Sequence, residues 1–144
     1  MNRNDLHYLL MLGFNHSNHA ITSQTGKWDL LPGQPKILEF LREHNGCTQK
    51  EIGHGCALDK STVTSLLSRM EGKNLIFRSP SEIDRRHMLV FLTEEGAYWA
   101  KRTGEICKRV DALAMEGISK KEQEAFLATF QKIMENLEKL EDKI

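Results

Sequence analysis

Residues 58–72, with the sequence LDKSTVTSLLSRMEG, form a predicted helix with two different faces. Four apolar residues recur at i, i+3, i+4 and i+7 and therefore share one side of the helix: Val63, Leu66, Leu67 and Met70. Asp59 is the predicted N-cap, because its carboxylate can accept hydrogen bonds from the first backbone N–H groups. The opposite side carries hydroxyl groups and a guanidinium. We therefore expect one buried face and one face that is open to a partner.

The composition of the open face favours DNA as that partner. Short hydrogen-bonding side chains let a helix approach the base edges in a major groove about 12 Å wide. A face that meets only water usually carries Glu and Lys four residues apart. This face instead carries five hydroxyls: Ser61, Thr62, Thr64, Ser65 and Ser68. We predict a recognition helix whose DNA contacts come from Lys60, Ser61, Thr62, Thr64, Ser65, Ser68 and Arg69.

Two shorter helices are predicted upstream of the recognition helix. Pro35 follows a turn and can start a helix, since proline is tolerated at the first helical position. That helix should stop at Asn45-Gly46. Thr48 and Glu51 have the spacing of a capping box, in which the two side chains satisfy backbone groups at a helix start. A short helix therefore begins there, and we expect it to end by about Cys56.

A hairpin is predicted downstream. Segments 75–78 and 87–92 have strand composition, and the eight residues between them are charged or turn-forming. The tip carries Asp84, Arg85 and Arg86. A guanidinium on a β-ribbon can enter a minor groove, and a neighbouring carboxylate can hold it extended. The same triplet also occurs as an ordinary surface ion pair.

The order of these elements predicts a winged helix-turn-helix over residues 35–92, within a mainly α protein that has a small β-hairpin wing (α+β). From residue 59 to residue 87 there are six cations and four anions, a net charge of +2. Residues 117–144 hold five Lys and six acids, a net charge of −1. The local excess of positive charge therefore lies on the segment predicted to bind DNA.

Three further helices have apolar faces that this small core cannot cover. The first, over residues 5–21, carries Leu6, Leu9, Leu10 and Phe14 near helical spacing. In the last helix apolar residues recur in steps of four and three, as in a coiled-coil seam: Phe126, Phe130, Ile133, Leu137, Leu140 and Ile144. Exposed apolar stripes are association sites. We predict a homodimer formed by segments 5–30 and 93–144, with contacts from Leu6, Leu10, Phe126, Phe130, Ile133, Leu137 and Leu140.

Composition sets the broad class. The 144 residues, of mass 16.5 kDa, amount to a single domain over residues 1–144. With 40% hydrophobic and 28% charged residues, the chain is typical of a globular protein. No apolar run approaches the roughly 18 residues of a membrane span, and the three cysteines, Cys47, Cys56 and Cys107, suit a reducing compartment. We expect a cytoplasmic protein with no membrane partner.

Catalysis is not expected. The sequence holds no nucleophile elbow, phosphate-binding glycine loop or metal-ligand motif, so we predict neither an enzyme nor a bound cofactor or metal. Two alternatives stay open from the residues alone. One is a winged helix that binds an acidic protein instead of DNA. The other is a regulator that senses a metal through His16 and His19 or oxidants through Cys47.

The chain resembles the MarR family of bacterial transcription regulators at five stretches: Leu58–Thr64, Arg69–Glu71, Leu75–Ile76, Asp84–Arg86 and Leu92–Gly96. The resemblance implies a homodimer in which the first, fifth and sixth helices interlock, and a pseudo-palindromic operator in double-stranded DNA. It implies that Arg86 enters the minor groove with Asp84 as its orienting partner. It further implies major-groove contacts from Ser61, Thr62, Ser65 and Arg69, and repression that a small-molecule effector relieves.

Two departures from the family pattern have structural meaning. Asn74 replaces the usual glycine after the recognition helix, and asparagine tolerates the left-handed conformation expected there. Gly53-His54-Gly55 should loosen the short third helix. The expected effector pocket is the crevice between the dimerising helices and the winged helix, with Phe14, His16 and Trp28 as its predicted lining.

Overall fold

The computed structural model describes residues 2–141. That part of the chain forms six α-helices and three strands: α1 (Leu6–Thr25), α2 (Gln34–Glu43), β1 (Cys47–Thr48), α3 (Gln49–Cys56), α4 (Lys60–Gly72), β2 (Ile76–Pro80), β3 (Met88–Leu92), α5 (Glu94–Ala114) and α6 (Lys120–Leu140). It divides into two compact units, and the boundary falls inside α5 between Val110 and Asp111. The mainly helical fold with a small sheet confirms the predicted winged-helix class.

The core of the first unit is built from the apolar faces of α2, α3 and α4 together with the sheet. Its most buried side chains are at most 2% exposed: Ile37, Leu38, Leu41, Ile52, Val63, Leu67, Met70, Ile76 and Val90. The four residues predicted for the apolar side of α4 are all buried. Burying apolar side chains at this spacing fixes the rotation of α4 about its axis, and the polar face therefore points away from the core.

Local capping signals begin the helices where the sequence predicts. The Thr48 hydroxyl accepts from the backbone N–H of Glu51 at 3.2 Å, so Thr48 caps α3 as predicted, and the Glu51 carboxylate accepts from the same hydroxyl at 3.0 Å. The Asp59 carboxylate accepts from the backbone N–H of Thr62 at the start of α4. Asn74 has a φ of 59°, so the left-handed conformation expected after α4 is confirmed.

The sheet contains one more strand than the sequence predicts. Its order is β1-β3-β2, with both pairings antiparallel. The short β1 places Cys47 opposite Val90 and Thr48 opposite Leu89. A strand of two residues has no compositional signal of its own, because it forms only when β3 supplies its hydrogen-bonding partners. This third strand joins the wing to the start of α3.

The expectation that Gly53-His54-Gly55 loosens α3 is wrong in this structure, since α3 is a regular helix through all three residues. Gly55 has a packing role instead. A Cβ on Gly55 would lie 2.1 Å from Cε2 of the Phe40 ring, which belongs to α2. The glycine therefore allows α2 and α3 to approach each other closely.

Several apolar residues on the outer helices are exposed in the single chain. Helix α1 extends four residues beyond the predicted end, and Thr25 is its one fully buried residue. Among its apolar side chains, Leu6, Leu9 and Phe14 are exposed, as are Phe126, Leu137 and Leu140 on α6. Ile144, the last predicted seam residue, lies outside the described residues. Within residues 2–141 no helix is both long enough and apolar enough to cross a bilayer.

Candidate nucleic-acid interface

The first turn of α4 uses part of its hydroxyl-rich face for capping. The Asp59 carboxylate accepts from the Ser61 hydroxyl at 2.8 Å and from the Thr62 hydroxyl at 2.9 Å. Donation from the Thr62 backbone N–H and from these two hydroxyls lowers the pKa of Asp59 below its ordinary value. At neutral pH the carboxylate is therefore charged, and two of the predicted DNA contacts, Ser61 and Thr62, are partly engaged by the protein itself.

The rest of the polar face is open. Lys60, Ser65, Ser68 and Arg69 are exposed, and their side chains have no hydrogen-bonding partner among the described residues. Ser65, Ser68 and Arg69 lie on the side of α4 away from the buried Val63 and Leu67, and Lys60 lies at the N-terminal end of the helix, so a partner could reach all four without disturbing the core. The exposed surface of α4 therefore offers two hydroxyls, one ammonium group and one guanidinium whose hydrogen bonds are available to a partner molecule in place of water.

Thr64 differs from the other predicted contacts. Its hydroxyl donates to the backbone carbonyl of Lys60 at 2.9 Å and accepts from the side-chain amide of Gln49 at 2.6 Å. Arg78 in turn donates to the Gln49 carbonyl oxygen at 3.1 Å. Gln49 and Arg78 could not be predicted from sequence, because residues 15 and 29 positions apart carry no local signal of their contact.

At the tip of the wing, the Arg86 side chain is held by the carboxylate of Asp84. Arg86 donates from Nε to Oδ1 of Asp84 at 3.0 Å and from Nη2 to Oδ2 at 2.9 Å, while its side chain stays 89% exposed. The Arg86 contact is the main cause of a lowered pKa at Asp84, which keeps this carboxylate charged at neutral pH. The structure thus brings together the pair that the family resemblance implies.

The backbone of the wing tip forms a closed turn. The N–H of His87 donates to the Asp84 carbonyl at 3.0 Å, and the N–H of Ser81 donates to the His87 carbonyl at 2.8 Å. Arg85 is exposed beside the pair and has no side-chain partner within the described residues. The tip therefore carries one oriented guanidinium and one that is free to rotate.

A separate cavity of about 250 Å³ opens in the first unit. It is lined by Phe14 and other residues of α1, by Pro35, Lys36 and Glu39 of α2, and by Cys107 of α5. The Lys36 ammonium lies 4.8 Å from the centre of the Phe14 ring. The structure places only Phe14 of the three predicted pocket residues at this cavity.

The other two predicted pocket residues lie elsewhere. His16 is exposed on α1 and does not line this cavity. Trp28 packs against the core, with its ring centre 5.0 Å from that of Trp99 and 5.1 Å from Cζ of Arg102. Sequence spacing could not separate these cases, because an aromatic residue after a helix suits a core as well as a cavity.

The described residues of the single chain give the metal-sensing and oxidant-sensing alternatives no added support. Burial raises the pKa of both Cys47 and Cys56 to about 11, so neither is a thiolate at neutral pH. The Cys56 thiol donates to the Lys36 carbonyl at 3.5 Å. No group of three or more His, Cys, Asp or Glu side chains that could hold a metal ion forms within residues 2–141, and the His16 and His19 pair gains no third ligand there.

This chain is similar in sequence to known transcriptional regulators. The sequence pattern of the MarR family matches residues 30–88, which include the recognition helix and the wing. The organic hydroperoxide resistance transcriptional regulator of Bacillus subtilis (strain 168) is 34% identical over 103 residues, covering 72% of this chain and 70% of the relative. The HTH-type transcriptional repressor NicR of Pseudomonas putida (strain KT2440) is 29% identical over 96 residues, covering 67% of this chain and 61% of the relative.

A solved structure has the same fold. The crystal structure of a MarR family transcriptional regulator from Listeria monocytogenes, complexed with a 26mer DNA, superposes with a TM-score of 0.88. The match covers 93% of this chain and 89% of the other, at 19% sequence identity. At that identity the likeness establishes a common fold, and the roles of individual residues have to be argued from the geometry above.

Proposed function

Because this chain belongs to the MarR family of DNA-binding transcriptional regulators, we propose that it is a homodimeric repressor. In this proposal the dimer occupies a pseudo-palindromic operator and leaves it when a small-molecule effector binds. The observation that carries the proposal is Arg86, a guanidinium held by Asp84 at the tip of the wing while remaining 89% exposed. Because the Arg86 guanidinium is already oriented in the free protein, it loses less conformational entropy when it binds a partner.

The recognition helix is proposed to enter the major groove. Ser65, Ser68 and Arg69 are exposed on α4 and keep their full hydrogen-bonding capacity for base edges and phosphates. Lys60 lies at the N-terminal end of the same helix, where its charge can neutralise a phosphate. Ser61, Thr62 and Thr64 are proposed as closer to the backbone of the DNA than to its bases, because their hydroxyls already have partners within the protein.

The wing is proposed to enter the adjacent minor groove. The negative potential of that groove rises where it narrows, and an arginine inserted there gains affinity without reading a specific base. Asp84 reduces the entropy that Arg86 loses on insertion, because two hydrogen bonds already restrict the side chain. Arg85 is proposed to contact a flanking phosphate.

Dimerisation is proposed through the two ends of the chain, segments 5–30 and 93–144. Helix α1 exposes Leu6, Leu9 and Phe14, and α6 exposes Phe126 and Leu137. Monomeric proteins rarely leave so many large apolar side chains in water, so a second copy of this chain is the proposed cover. Two-fold symmetry then places two recognition helices about one turn of DNA apart, roughly 10 to 10.5 base pairs from centre to centre.

Repression is proposed to result from binding of the dimer to promoter DNA. A dimer that covers two half-sites of a promoter excludes other proteins from the same DNA. The name of one relative, the transcriptional repressor NicR, supports this direction of control. Release requires an effector that binds the DNA-incompetent spacing of the two winged helices more tightly than the competent one, because equal affinity would leave the equilibrium unchanged.

The cavity beside Phe14 is the proposed effector site. Residues from α1, α2 and α5 line it, so a ligand there would contact helices that belong both to the predicted dimerising segment 5–30 and to the winged helix. Its lining surface is mainly apolar and includes the side chains of Lys36 and Glu39. A bound molecule could therefore change the angle between α1 and α2.

The experiment that tests the proposed function is a salt-titrated anisotropy measurement with labelled duplexes from the region around the gene, with mass determined in parallel by light scattering. We expect a dimer whose logarithm of affinity falls linearly with the logarithm of salt concentration, with a slope of several released counterions. A monomer, or a protein that binds no duplex even in dilute salt, would overturn the proposal. Binding to an acidic protein with no binding to DNA would support the interaction module instead.

A further inference from the structure

We propose that Arg78, Gln49 and Thr64 form a relay that fastens the wing to the recognition helix, and that the central member of this relay, the amide of Gln49, donates its second N–H to a DNA phosphate. The relay connects three elements: Arg78 lies in β2, Gln49 is the first residue of α3, and Thr64 lies in α4. The phosphate contact rests on the proposed binding of DNA.

The directions of the hydrogen bonds in the relay are fixed by chemistry. A guanidinium can only donate, so the Gln49 oxygen must face Arg78 at 3.1 Å. The Gln49 nitrogen must then face Thr64, at 2.6 Å. The hydrogen of the Thr64 hydroxyl goes to the Lys60 carbonyl at 2.9 Å, which leaves the hydroxyl oxygen to accept from Gln49. Reversing the amide would place its NH₂ group against the donor-only guanidinium of Arg78 and lose that contact.

Arg78 is anchored at a second point. Its Nε lies 3.4 Å from the Glu71 carboxylate near the C-terminal end of α4, and its side chain is 25% exposed. The guanidinium therefore bridges Glu71 and Gln49 and is turned towards the protein. A count of cations in the sequence assigns Arg78 to the DNA-binding charge, whereas the geometry makes it a positioning residue whose charge Glu71 already offsets.

The relay leaves one hydrogen-bond donor open. The Gln49 amide has two N–H bonds, and Thr64 uses one of them. The other has no partner among the described residues, and Gln49 is only half-buried. Gln49 shares an open cleft between α3 and α4 with Lys50, His54 and Lys60. An unpaired N–H of Gln49, in the same cleft as the ammonium groups of Lys50 and Lys60, is suited to binding an anion.

A phosphate fits this position better than a base edge. In helix-turn-helix proteins the helix before the recognition helix crosses the DNA backbone, while base edges are contacted from the recognition helix itself. Gln49 belongs to the former helix, α3. In this arrangement Arg78 orients the Gln49 side chain, and Gln49 fixes the position of the protein along the DNA backbone. The hydrogen bond from Gln49 to Thr64 then fixes the position of α4 relative to that phosphate contact.

The test compares Gln49→Met with Gln131→Met, a matched control on α6. Gln131 is exposed and lies off the predicted dimer seam, so its replacement measures the general cost of losing an amide. We expect Gln49→Met to weaken binding of the proposed dimer roughly a hundredfold, about tenfold for each of its two copies of Gln49, as for the loss of a hydrogen bond to a charged group. The loss should be equal on a cognate and on a random duplex, with an unchanged salt slope, because a neutral amide releases no counterion.

Arg78→Met tests the positioning step. We expect a similar loss of affinity, no change in salt slope, and no further loss in the double variant Gln49→Met/Arg78→Met, because both changes break the same relay. Arg78→Lys should recover part of the affinity by keeping one donor near Gln49. Circular dichroism checks that each variant is folded. If Arg78→Met is not, Arg78→Lys and the double variant Gln49→Met/Arg78→Lys carry the test, and the double variant should lose no more affinity than Gln49→Met alone.

The outcomes separate the relay from the proposed function. If the wild-type protein bound no duplex, the proposed function and the phosphate contact would fail together. If the wild-type protein bound DNA and Gln49→Met kept full affinity, only the relay proposal would fail. A loss confined to the cognate duplex would make Gln49 a base contact and overturn the phosphate assignment. A smaller salt slope for Arg78→Met would show that Arg78 itself neutralises a phosphate.

Discussion

Asp84 holds Arg86 by two nearly parallel hydrogen bonds, of 3.0 and 2.9 Å, at the tip of a hairpin whose arginine side chain is otherwise in solvent. A third bond runs from the backbone N–H of Arg86 to the same carboxylate at 3.1 Å. A surface ion pair alone adds little to the stability of a fold. The contact therefore has more meaning for recognition, because it limits the directions in which the guanidinium can point.

Replacing Arg86 with Ala should weaken operator binding strongly and leave the dimer intact. The reason is that the variant loses the oriented cation of the wing while every core contact stays in place. Asp84→Asn should show a smaller loss, since the amide frees Arg86 without removing its charge. Anisotropy titrations measure the affinities, and light scattering measures the mass. Unchanged affinity in Arg86→Ala would refute the role of the wing.

The proposed dimer should dissociate when Phe130 and Leu137 are both replaced with Glu. These positions lie on the predicted seam of α6, where two buried carboxylates in each chain would have no partner. Gln131→Glu adds the same charge off the seam and serves as the control. Sedimentation or light scattering should give half the wild-type mass for the double variant only. A double variant with the full dimer mass would contradict the seam.

Gly55→Ala should lower the free energy of unfolding by about 1 to 3 kcal/mol, as other overpacked sites do. The new methyl group would overlap the Phe40 ring, and α2 and α3 would have to move apart. Gly72→Ala is the matched control, because nothing lies within 4 Å of its Cβ position. It should be neutral or stabilising by up to about 1 kcal/mol. Equal effects of the two changes in denaturant melts would show that Phe40 can adjust.

The buried thiols predict how stability changes in alkaline solution. Burial raises the pKa of Cys47 and Cys56 from 9.0 to about 11, so between these values the folded chain binds more protons than the unfolded chain. The thiols therefore contribute stability that is fully present below pH 9 and is lost as the pH rises towards 11. Urea melts should show a decline from pH 9 that is shallower in Cys47→Ala/Cys56→Ala. An identical decline in that variant would contradict this cause.

Much of the winged helix could be predicted because its signals are local. Asp59 and Thr48 cap their helices with groups three residues away, and Asn74 takes the left-handed conformation that its short polar side chain tolerates. The buried face of α4 follows from four apolar residues at helical spacing. These features depend on neighbours within one or two turns, which a sequence displays directly.

The features that could not be predicted depend on contacts between distant parts of the chain. Thr64 was predicted as a DNA contact, but its hydroxyl accepts a hydrogen bond from Gln49, which lies 15 residues away in the sequence. Arg78 counts in sequence only as one of six cations in its segment, whereas in the structure its guanidinium contacts Glu71 and Gln49. Gly55 was predicted to loosen α3, whereas in the structure a glycine is needed there because the ring of Phe40 occupies the space of a Cβ. In each case the decisive partner lies on another element, and only the packing reveals it.

The most direct test of the central claim is selection of bound duplexes from a random DNA pool by the purified wild-type protein. Two identical winged helices related by a two-fold axis should enrich an inverted repeat with half-sites about 10 to 10.5 base pairs apart. Arg86 should favour a narrow, A·T-rich minor groove beside each half-site. Enrichment of a single unrepeated site, or of no sequence at all, would contradict a symmetric regulator that binds DNA through α4 and the wing.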